Sequence, residues 1–283
     1  MPELPEVETV RRGLASIVVG RRVERVEVGR ERVVRRTSAA ALVDGLTGTV
    51  VTAARRRGKY LLCPLDSGAE LMVHLRMSGQ LLVASPGAAR PPHTHVVAEL
   101  SARGVEEPVE LWFVDPRTFG EVVVFDPARV DEQLPELARL GPDPVVDPFS
   151  RRDLRRILRE RSRRLKALLL DQTVVAGIGN IYGDEILHAA RLRPDRASDS
   201  LSLAAEARLH DAIGSVLDAA IAAGGSSLRD AQYVDLLGAA GGYQHQHRVY
   251  GRAGRRCSTC GIGRVRRVIE GQRSTHYCPW CQR

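Results

Sequence analysis

The chain has 283 residues, 43% of them hydrophobic, which is more than one average domain and enough to bury at least one full core. Its formal net charge of +8 favours a polyanionic partner, and aromatics at only 4% argue against a basic amphipathic membrane-surface role. No apolar run is long enough to cross a bilayer, and the acidic, proline-containing N-terminus is not a signal peptide, so the expectation is a cytoplasmic protein with no membrane partner.

The first residues are Met1-Pro2-Glu3-Leu4-Pro5-Glu6. Proline is small enough to permit routine removal of Met1. The ring nitrogen of Pro2 would then be a free secondary amine, able to attack an electrophilic carbon and form a covalent iminium. That cation is an electron sink, and Glu3 and Glu6 stand beside it as candidate acid/base groups. The same six residues also read as ordinary helix-start chemistry, with proline in the first turn and acids at the positive end of the dipole. Val7, Val10, Leu14 and Ile17 recur at helical spacing, so a helix should begin near Glu3 and run to about Ser16.

From Arg22 to Phe125 the pattern changes to short β-branched runs separated by Gly, Pro, Asp and Ser. The runs are Val23–Val28, Val50–Ala54, Tyr60–Leu65, Leu71–Leu75, Gln80–Val83, Val96–Leu100, Val109–Val114 and Glu121–Phe125. Strands at this spacing suggest a two-layer β-sandwich. Cys63 lies in one of these runs and reads as a small buried hydrophobe. Forty of the 42 basic side chains are arginine, which makes the two lysines, Lys59 and Lys166, noticeable. Lys59 follows Arg55-Arg56-Arg57-Gly58 and precedes a strand, where a compact ammonium can contact a phosphate or a reaction centre. Lys166 reads as a surface charge at the start of an apolar helix.

Residues 126–149 are proline-rich and aperiodic and read as a linker. Ser150 with Asp153 forms a capping box that opens a helix through Leu154, Ile157 and Leu158. Further helices should cover about Arg163–Asp171, Asn180–Ala190 and Ser200–Ala223. In Ala176-Gly-Ile-Gly-Asn180-Ile-Tyr-Gly-Asp-Glu185 the glycines permit close backbone approach and Asn180 can cap the following helix, whose N-terminus would favour an anion. An ordinary capped turn explains the segment equally well. Gly238–Gly242 reads as a mobile loop.

The chain closes with Cys257-Ser-Thr-Cys260, 17 intervening residues, and Cys278-Pro-Trp-Cys281. Two such pairs fit a tetrahedral four-thiolate zinc site with no open coordination position. Around them, between Gly251 and Arg283, stand eight arginines and one acid, Glu270, an electrostatic footprint for phosphate.

Taken together these residues resemble bacterial formamidopyrimidine-DNA glycosylase, the repair enzyme family for oxidised purines. The resemblance runs from residue 2 to residue 283. It is carried by Pro2-Glu-Leu-Pro-Glu-Val-Glu-Thr9, Lys59-Tyr-Leu, His74-Leu-Arg-Met77-Ser-Gly, Asp115-Pro-Arg117-Thr-Phe119-Gly, Gly177-Ile-Gly-Asn180-Ile-Tyr, Val249-Tyr-Gly-Arg and the four cysteines. It implies an α+β multidomain fold: an N-terminal helix on a two-layer β-sandwich (1–125), the linker (126–149), a helix–two-turn–helix domain (150–247) and a zinc β-hairpin (248–283). It implies duplex DNA carrying oxidised bases or abasic sites as partner, held in the cleft between the domains by a monomer associated with the nucleoid, and one structural zinc ion on Cys257, Cys260, Cys278 and Cys281.

By the same resemblance Pro2 is the nucleophile, Glu3 the general acid that opens the sugar, and Lys59 a third catalytic-site residue. Glu6 orders the helix start. His74 contacts phosphate near the lesion, while Met77, Arg117 and Phe119 fill the gap left by a flipped base. Asn180 and Arg273 pinch the flanking phosphates. Excision would proceed through a Pro2 Schiff base, with strand cleavage by β,δ-elimination. Thr118 departs from the family, which usually has a second basic residue there, and the interval between the cysteine pairs is one residue longer than expected. The segment Gln232–Gln244 aligns with the loop that closes over the flipped base, and its sequence does not declare a specificity. Two other readings stay open: a sister glycosylase for oxidised pyrimidines, which usually has glycine at the position of Leu4, and a non-catalytic zinc-ribbon DNA-binding protein.

Overall fold

The computed structural model describes residues 2–160, 162–228, 233–270 and 272–283. The chain forms two compact units, one of residues 1–139 with 224–242 and the other of residues 140–223 with 243–283.

The first unit opens with α1 (Leu4–Ile17), whose buried face is Leu4, Val7, Val10 and Leu14. Two four-stranded antiparallel sheets follow. One has the order β1 (Val23–Val28), β6 (Thr94–Leu100), β7 (Val109–Val114), β5 (Gln80–Ala84). The other has the order β2 (Arg55–Arg57), β3 (Tyr60–Pro64), β4 (Glu70–His74), β8 (Glu121–Phe125). Their inner faces share one core with α1, including Leu61, Val73, Leu81, Phe113 and Val122, all buried. Cys63 belongs to that core, and burial pushes its thiol up to about 12, so it is inert at neutral pH.

One expected strand is replaced. Val50 bridges Arg22 while Val51 bridges Leu65, so neighbouring residues pair with different strands and no ladder grows. The strand forms instead at Arg55–Arg57, where pairing with β3 overrides a basic sequence of modest β-propensity. Helix α2 (Ala39–Leu46) is also absent from the sequence expectations; the Ser38 hydroxyl caps it, accepting from the Ala41 amide.

The proline-rich stretch does not behave as one connector. Two short helices, α3 (Val130–Gln133) and α4 (Pro135–Ala138), pack with the first unit, and residues 140–149 belong to the second. Residues 224–242, expected within a 150–247 domain, return to the first unit. Leu236 and Tyr233 enter its core, and Leu236 O accepts from the Val83 amide. Asp235 accepts from the amides of Leu237 and Ala239, so the Gly238–Gly242 stretch is tied down rather than hanging loose.

The second unit is built on α5 (Arg151–Glu160), α6 (Leu165–Leu169), α7 (Asn180–Ala189) and α8 (Leu203–Ala222). The Ser150–Asp153 box opens α5 as expected, and Leu154, Ile157 and Leu158 are its buried face. The hairpin β9 (Arg266–Glu270) and β10 (Arg273–Tyr277) pairs without a register shift from Arg266↔Tyr277 to Glu270↔Arg273. Among the described residues no helix is long and apolar enough to cross a membrane.

Candidate functional site

In the first unit Pro2 and Glu3 are buried at the start of α1. Glu3 is the N-cap residue, and its amide donates to Glu6 Oε2 at 2.7 Å. The other Glu6 oxygen accepts from the Ser226 amide at 2.7 Å, so the returning segment is clasped to the chain start. Gly225 makes this possible: its φ is +76°, and a Cβ there would stand 2.8 Å from Glu6 Oε1. Gln232, the first residue of the aligned closing loop, lies outside the described residues, as do its three predecessors.

Lys59 occupies the tight turn between β2 and β3 and is buried. The turn is fixed to α1 through Glu8, which the sequence reading did not single out. Arg56 spans the two, with Nε 3.2 Å from Glu8 Oε2 and Nη1 donating to Gly58 O at 2.9 Å. Burial alone would raise the Glu8 carboxyl, but Arg11, Arg12 and Arg56 together hold it below the usual carboxylate range. Glu8 thus stays charged and locks the Lys59 turn against the helix that carries Pro2 and Glu3.

His74 ends β4, with its ring edge-on to Tyr60 at 4.4 Å. Burial first, then the cations of Arg76 and Lys59, drive its pKa well below that of ordinary histidine. The ring is therefore neutral at physiological pH. Its Nδ1 accepts from the Arg76 amide at 2.9 Å, so the proton sits on Nε2. His74 can donate a hydrogen bond to a phosphate oxygen without carrying charge.

Met77 and Phe119 sit on two loops, 42% and 41% exposed despite their apolar side chains. A fully buried carboxylate, Asp115, ties the loops together. Its Oδ1 accepts from Ser78 Oγ at 2.5 Å and from the Arg117 amide at 3.2 Å, and its Oδ2 accepts from the Gly120 amide at 2.7 Å. Arg76 and Thr118 take positive φ of 52° and 54°, costly for residues other than glycine, within this anchored pair. Thr118 is buried, and its carbonyl accepts from Arg35. The loops hold a methionine, an arginine and a phenylalanine in fixed, outward positions.

In the second unit the turn before α7 is stitched by Gln172, which donates to Ile178 O and accepts from the Gly177 amide. Asn180 does not cap the helix: Gly179 holds the N-cap position, and Asn180 is the first helical residue. The Asn180 Oδ1 is buried without a hydrogen-bond partner among the described residues. An uncompensated buried polar atom costs about 1–3 kcal/mol; a water can donate to this oxygen, whereas a phosphate, itself an acceptor, is met only by the N–H2 of the amide.

One turn further along α7, Asp184 Oδ2 accepts from the His276 amide at 2.8 Å, which fixes β10 and hence Arg273, three residues earlier. Lys166 completes this joint and corrects the expectation of a surface charge. Its Nζ lies 2.6 Å from Asp184 Oδ1 and donates to Ser274 O and Thr275 Oγ1, each at 3.0 Å. Glu185 accepts from the amides of Arg248, Val249 and Tyr250 at 2.8–2.9 Å. Arg273 is exposed beside a concavity of about 460 Å³ that Arg163, Arg164 and Thr275 also line.

The four cysteines converge. Their sulfurs all lie within 4.8 Å of one another, and the Cys257–Cys281 and Cys260–Cys278 separations are 3.8 and 3.7 Å. Sulfurs at about 2.3 Å from a tetrahedral zinc would stand about 3.75 Å apart, so the donor set fits that ion. The sulfurs form no disulfide. Gly263 is needed here, since a Cβ would meet Cys278 Sγ at 2.6 Å.

Sequence and fold are those of known proteins. The family models for the formamidopyrimidine-DNA glycosylase N-terminal domain and H2TH domain match residues 1–122 and 140–232. The chain belongs to the formamidopyrimidine-DNA glycosylase family. It is 46% identical to the Salinispora arenicola formamidopyrimidine-DNA glycosylase, covering 100% of this chain and 96% of that one. With the Desulfitobacterium hafniense enzyme it shares 42% identity over the full length of both. Among solved structures it superimposes on Lactococcus lactis Fpg in complex with abasic-site DNA (TM-score 0.89, 36% identity, 99% of each chain). It also superimposes on MutM in complex with DNA containing carbocyclic 8-oxo-G (TM-score 0.88, 37% identity, 100% of each chain). As a member of this family the chain is a base-excision repair enzyme, and its cysteine cluster is the glycosylase zinc finger.

Proposed function

We propose that this chain removes oxidised purines, 8-oxoguanine and formamidopyrimidines, from duplex DNA and then cuts the strand at the abasic site. The full-length likeness to glycosylases crystallised on 8-oxo-G, Fapy-dG and abasic DNA carries the proposal. The substrate places the working protein on chromosomal DNA in the cytoplasm.

A stacked base is out of reach, so the lesion is flipped, which costs a few kcal/mol. Met77 and Phe119 replace the lost stacking, and Arg117 bonds the orphaned cytosine. Asn180 and Arg273 grip the phosphates flanking the flipped nucleotide, while Lys59 and the neutral His74 donate to phosphate near it. With Met1 removed, the lone pair of the Pro2 nitrogen attacks C1′ of the sugar. The glycosidic electrons leave with the base, which takes a proton. Glu3 protonates the ring oxygen, the sugar opens, and the iminium forms. The iminium acidifies C2′, whose proton is lost as the 3′ phosphate is expelled. A second elimination expels the 5′ phosphate. Attack requires an unprotonated amine, which ordinarily titrates near 7.7–8.0.

The test is borohydride trapping with a duplex carrying 8-oxoguanine opposite cytosine, read by intact mass. The expected result is a covalent adduct on a chain lacking Met1, absent in Pro2→Thr. Tight binding with neither adduct nor cleavage, on a chain with Pro2 free, would leave a zinc-ribbon DNA binder. Preferential cleavage of thymine-glycol duplexes would point to the oxidised-pyrimidine branch instead.

A further inference from the structure

The zinc finger has a neighbour that its four cysteines do not account for. His188 sits in the last turn of α7 and is buried, 3% exposed. Its Nε2 lies 3.4 Å from Cys257 Sγ and 3.7 Å from Cys281 Sγ, while Cys257 itself is wholly shielded from solvent. Four thiolates already complete a tetrahedral zinc shell, so the imidazole is a neighbour of ligands, not a fifth ligand. Metal-bound thiolate sulfur has no proton to give. Between His188 and either sulfur, the hydrogen must therefore sit on Nε2 and point at sulfur.

We propose that His188 is a hydrogen-bond donor to the zinc-bound thiolates of Cys257 and Cys281, a positioning residue that holds both ligands and slows loss of the metal. The inference rests on the four-thiolate zinc reading and is independent of the glycosylase chemistry. Cys257 and Cys281 come from different CxxC pairs, so one ring spans both halves of the clasp. Cys260 receives a comparable bond from the backbone, the Gly263 amide at 3.4 Å. The Cys257–Cys281 side depends on a side chain, and a buried sulfur deprived of it has no water to replace the lost donor. The bond draws negative charge away from the sulfurs, which makes them poorer targets for a proton or an electrophile and orients their lone pairs on the metal.

Two variants of the zinc-loaded chain test this. His188→Phe keeps a flat ring and removes the donor. His188→Gln keeps an N–H that can reach the same place. Zinc transfer to a chromogenic chelator should be about 10-fold faster or more in H188F, the usual loss on removing an outer-sphere partner, and near the parent rate in H188Q. Parent-like transfer in H188F would overturn the proposal. So would equally fast transfer in both variants, which would mark a packing role. A measurement on the unaltered sequence guards against misfolding of either variant. With the zinc exchanged for cadmium-113, scalar coupling between the metal and the His188 ring proton is expected across the N–H···S–Cd path. A ring with Nε2 unprotonated and no coupling would overturn the proposal.

Discussion

Lys166→Met should unfasten the second unit while leaving the first intact. The Lys166 ammonium meets Asp184 Oδ1 at 2.6 Å, and both side chains are almost completely shielded. At that distance and an effective dielectric constant of ~20 the attraction is about 6 kcal/mol, most of it cancelled by the cost of drying both ions. Removing one partner restores the imbalance, because the Asp184 charge stays buried. The expected loss is therefore about 3–5 kcal/mol, the range for a broken buried pair. In a unit of this size it should lower the melting temperature by roughly 10–20 °C. Lys166 also donates to Ser274 O and Thr275 Oγ1, so β10 should loosen, and with it the arginine at its start. Urea unfolding of the zinc-loaded protein, followed by near-ultraviolet circular dichroism, gives the stability. Fluorescence anisotropy on an abasic-site duplex gives the grip. Lys166→Met with Asp184→Asn should recover much of the loss, since the amide oxygen can still accept from the His276 amide. A single variant within 1 kcal/mol of the parent, or a double variant worse than the single, would mean that the Lys166–Asp184 pair does not hold the second unit, and would return Lys166 to the surface role its sequence suggests.

Other consequences can be checked independently. Gly225→Ala puts an L-residue at φ +76° and a methyl group 2.8 Å from Glu6 Oε1, so the Glu6–Ser226 clasp should open. A stability loss of about 1–3 kcal/mol is expected, with slower single-turnover excision; unchanged rates would separate Glu6 from the chemistry. Asp115→Ala removes the acceptor for Ser78, Arg117 and Gly120, at a cost of about 3 kcal/mol. Excision of 8-oxoguanine should fall much further than affinity for undamaged duplex, and equal losses would deny the loops a special role. Burial first, then Arg252 and His245, lower the pKa of His247 to about 4, against about 6.5 for an unfolded histidine. Between those values the unfolded chain binds the extra proton, so stability is complete above about pH 6.5 and falls by up to about 1.4 kcal/mol per unit as pH drops toward 4. His247→Phe should flatten that fall in urea titrations at pH 7, 6 and 5, and an unchanged slope would show that the ring titrates freely.

Most of the sandwich is legible because its strands alternate and its turns carry Gly, Pro and Asp. The exceptions share one cause, pairing that local pattern does not contain. Val50 and Val51 have the right side chains for a strand but divide their partners. Arg55–Arg57 has the wrong ones and is drafted by β3. Residues 224–242 illustrate the same limit at longer range, since nothing in Gly-Gly-Ser-Ser announces that a glutamate some 220 positions earlier will hold it. Among the candidate site residues, Pro2 and the cysteines stand in motifs whose composition suggests a chemistry, whereas a role for Met77 comes only from the resemblance to the family. Glu8, Asp115 and His188 act through other residues, and a supporting role leaves no pattern of its own in a single sequence.

Helix α7 shows why. Every residue from Ile181 to His188 is buried, although an aspartate, a glutamate and a histidine are among them. A pattern reading would turn Asp184, Glu185 and His188 toward water. Each instead has a partner whose position only the tertiary fold supplies: Asp184 holds β10 and Lys166, Glu185 holds three successive amides, and His188 reaches two thiolates. Charges in a helix interior are tolerated only when so satisfied. The satisfaction makes the helix a peg into which the hairpin, the 248–250 turn and the zinc ligands are all fitted. Asn180 opens that peg with an unpaired amide oxygen. Among the described residues that oxygen finds no donor, and the N–H2 of the same amide is the group the proposed phosphate grip requires.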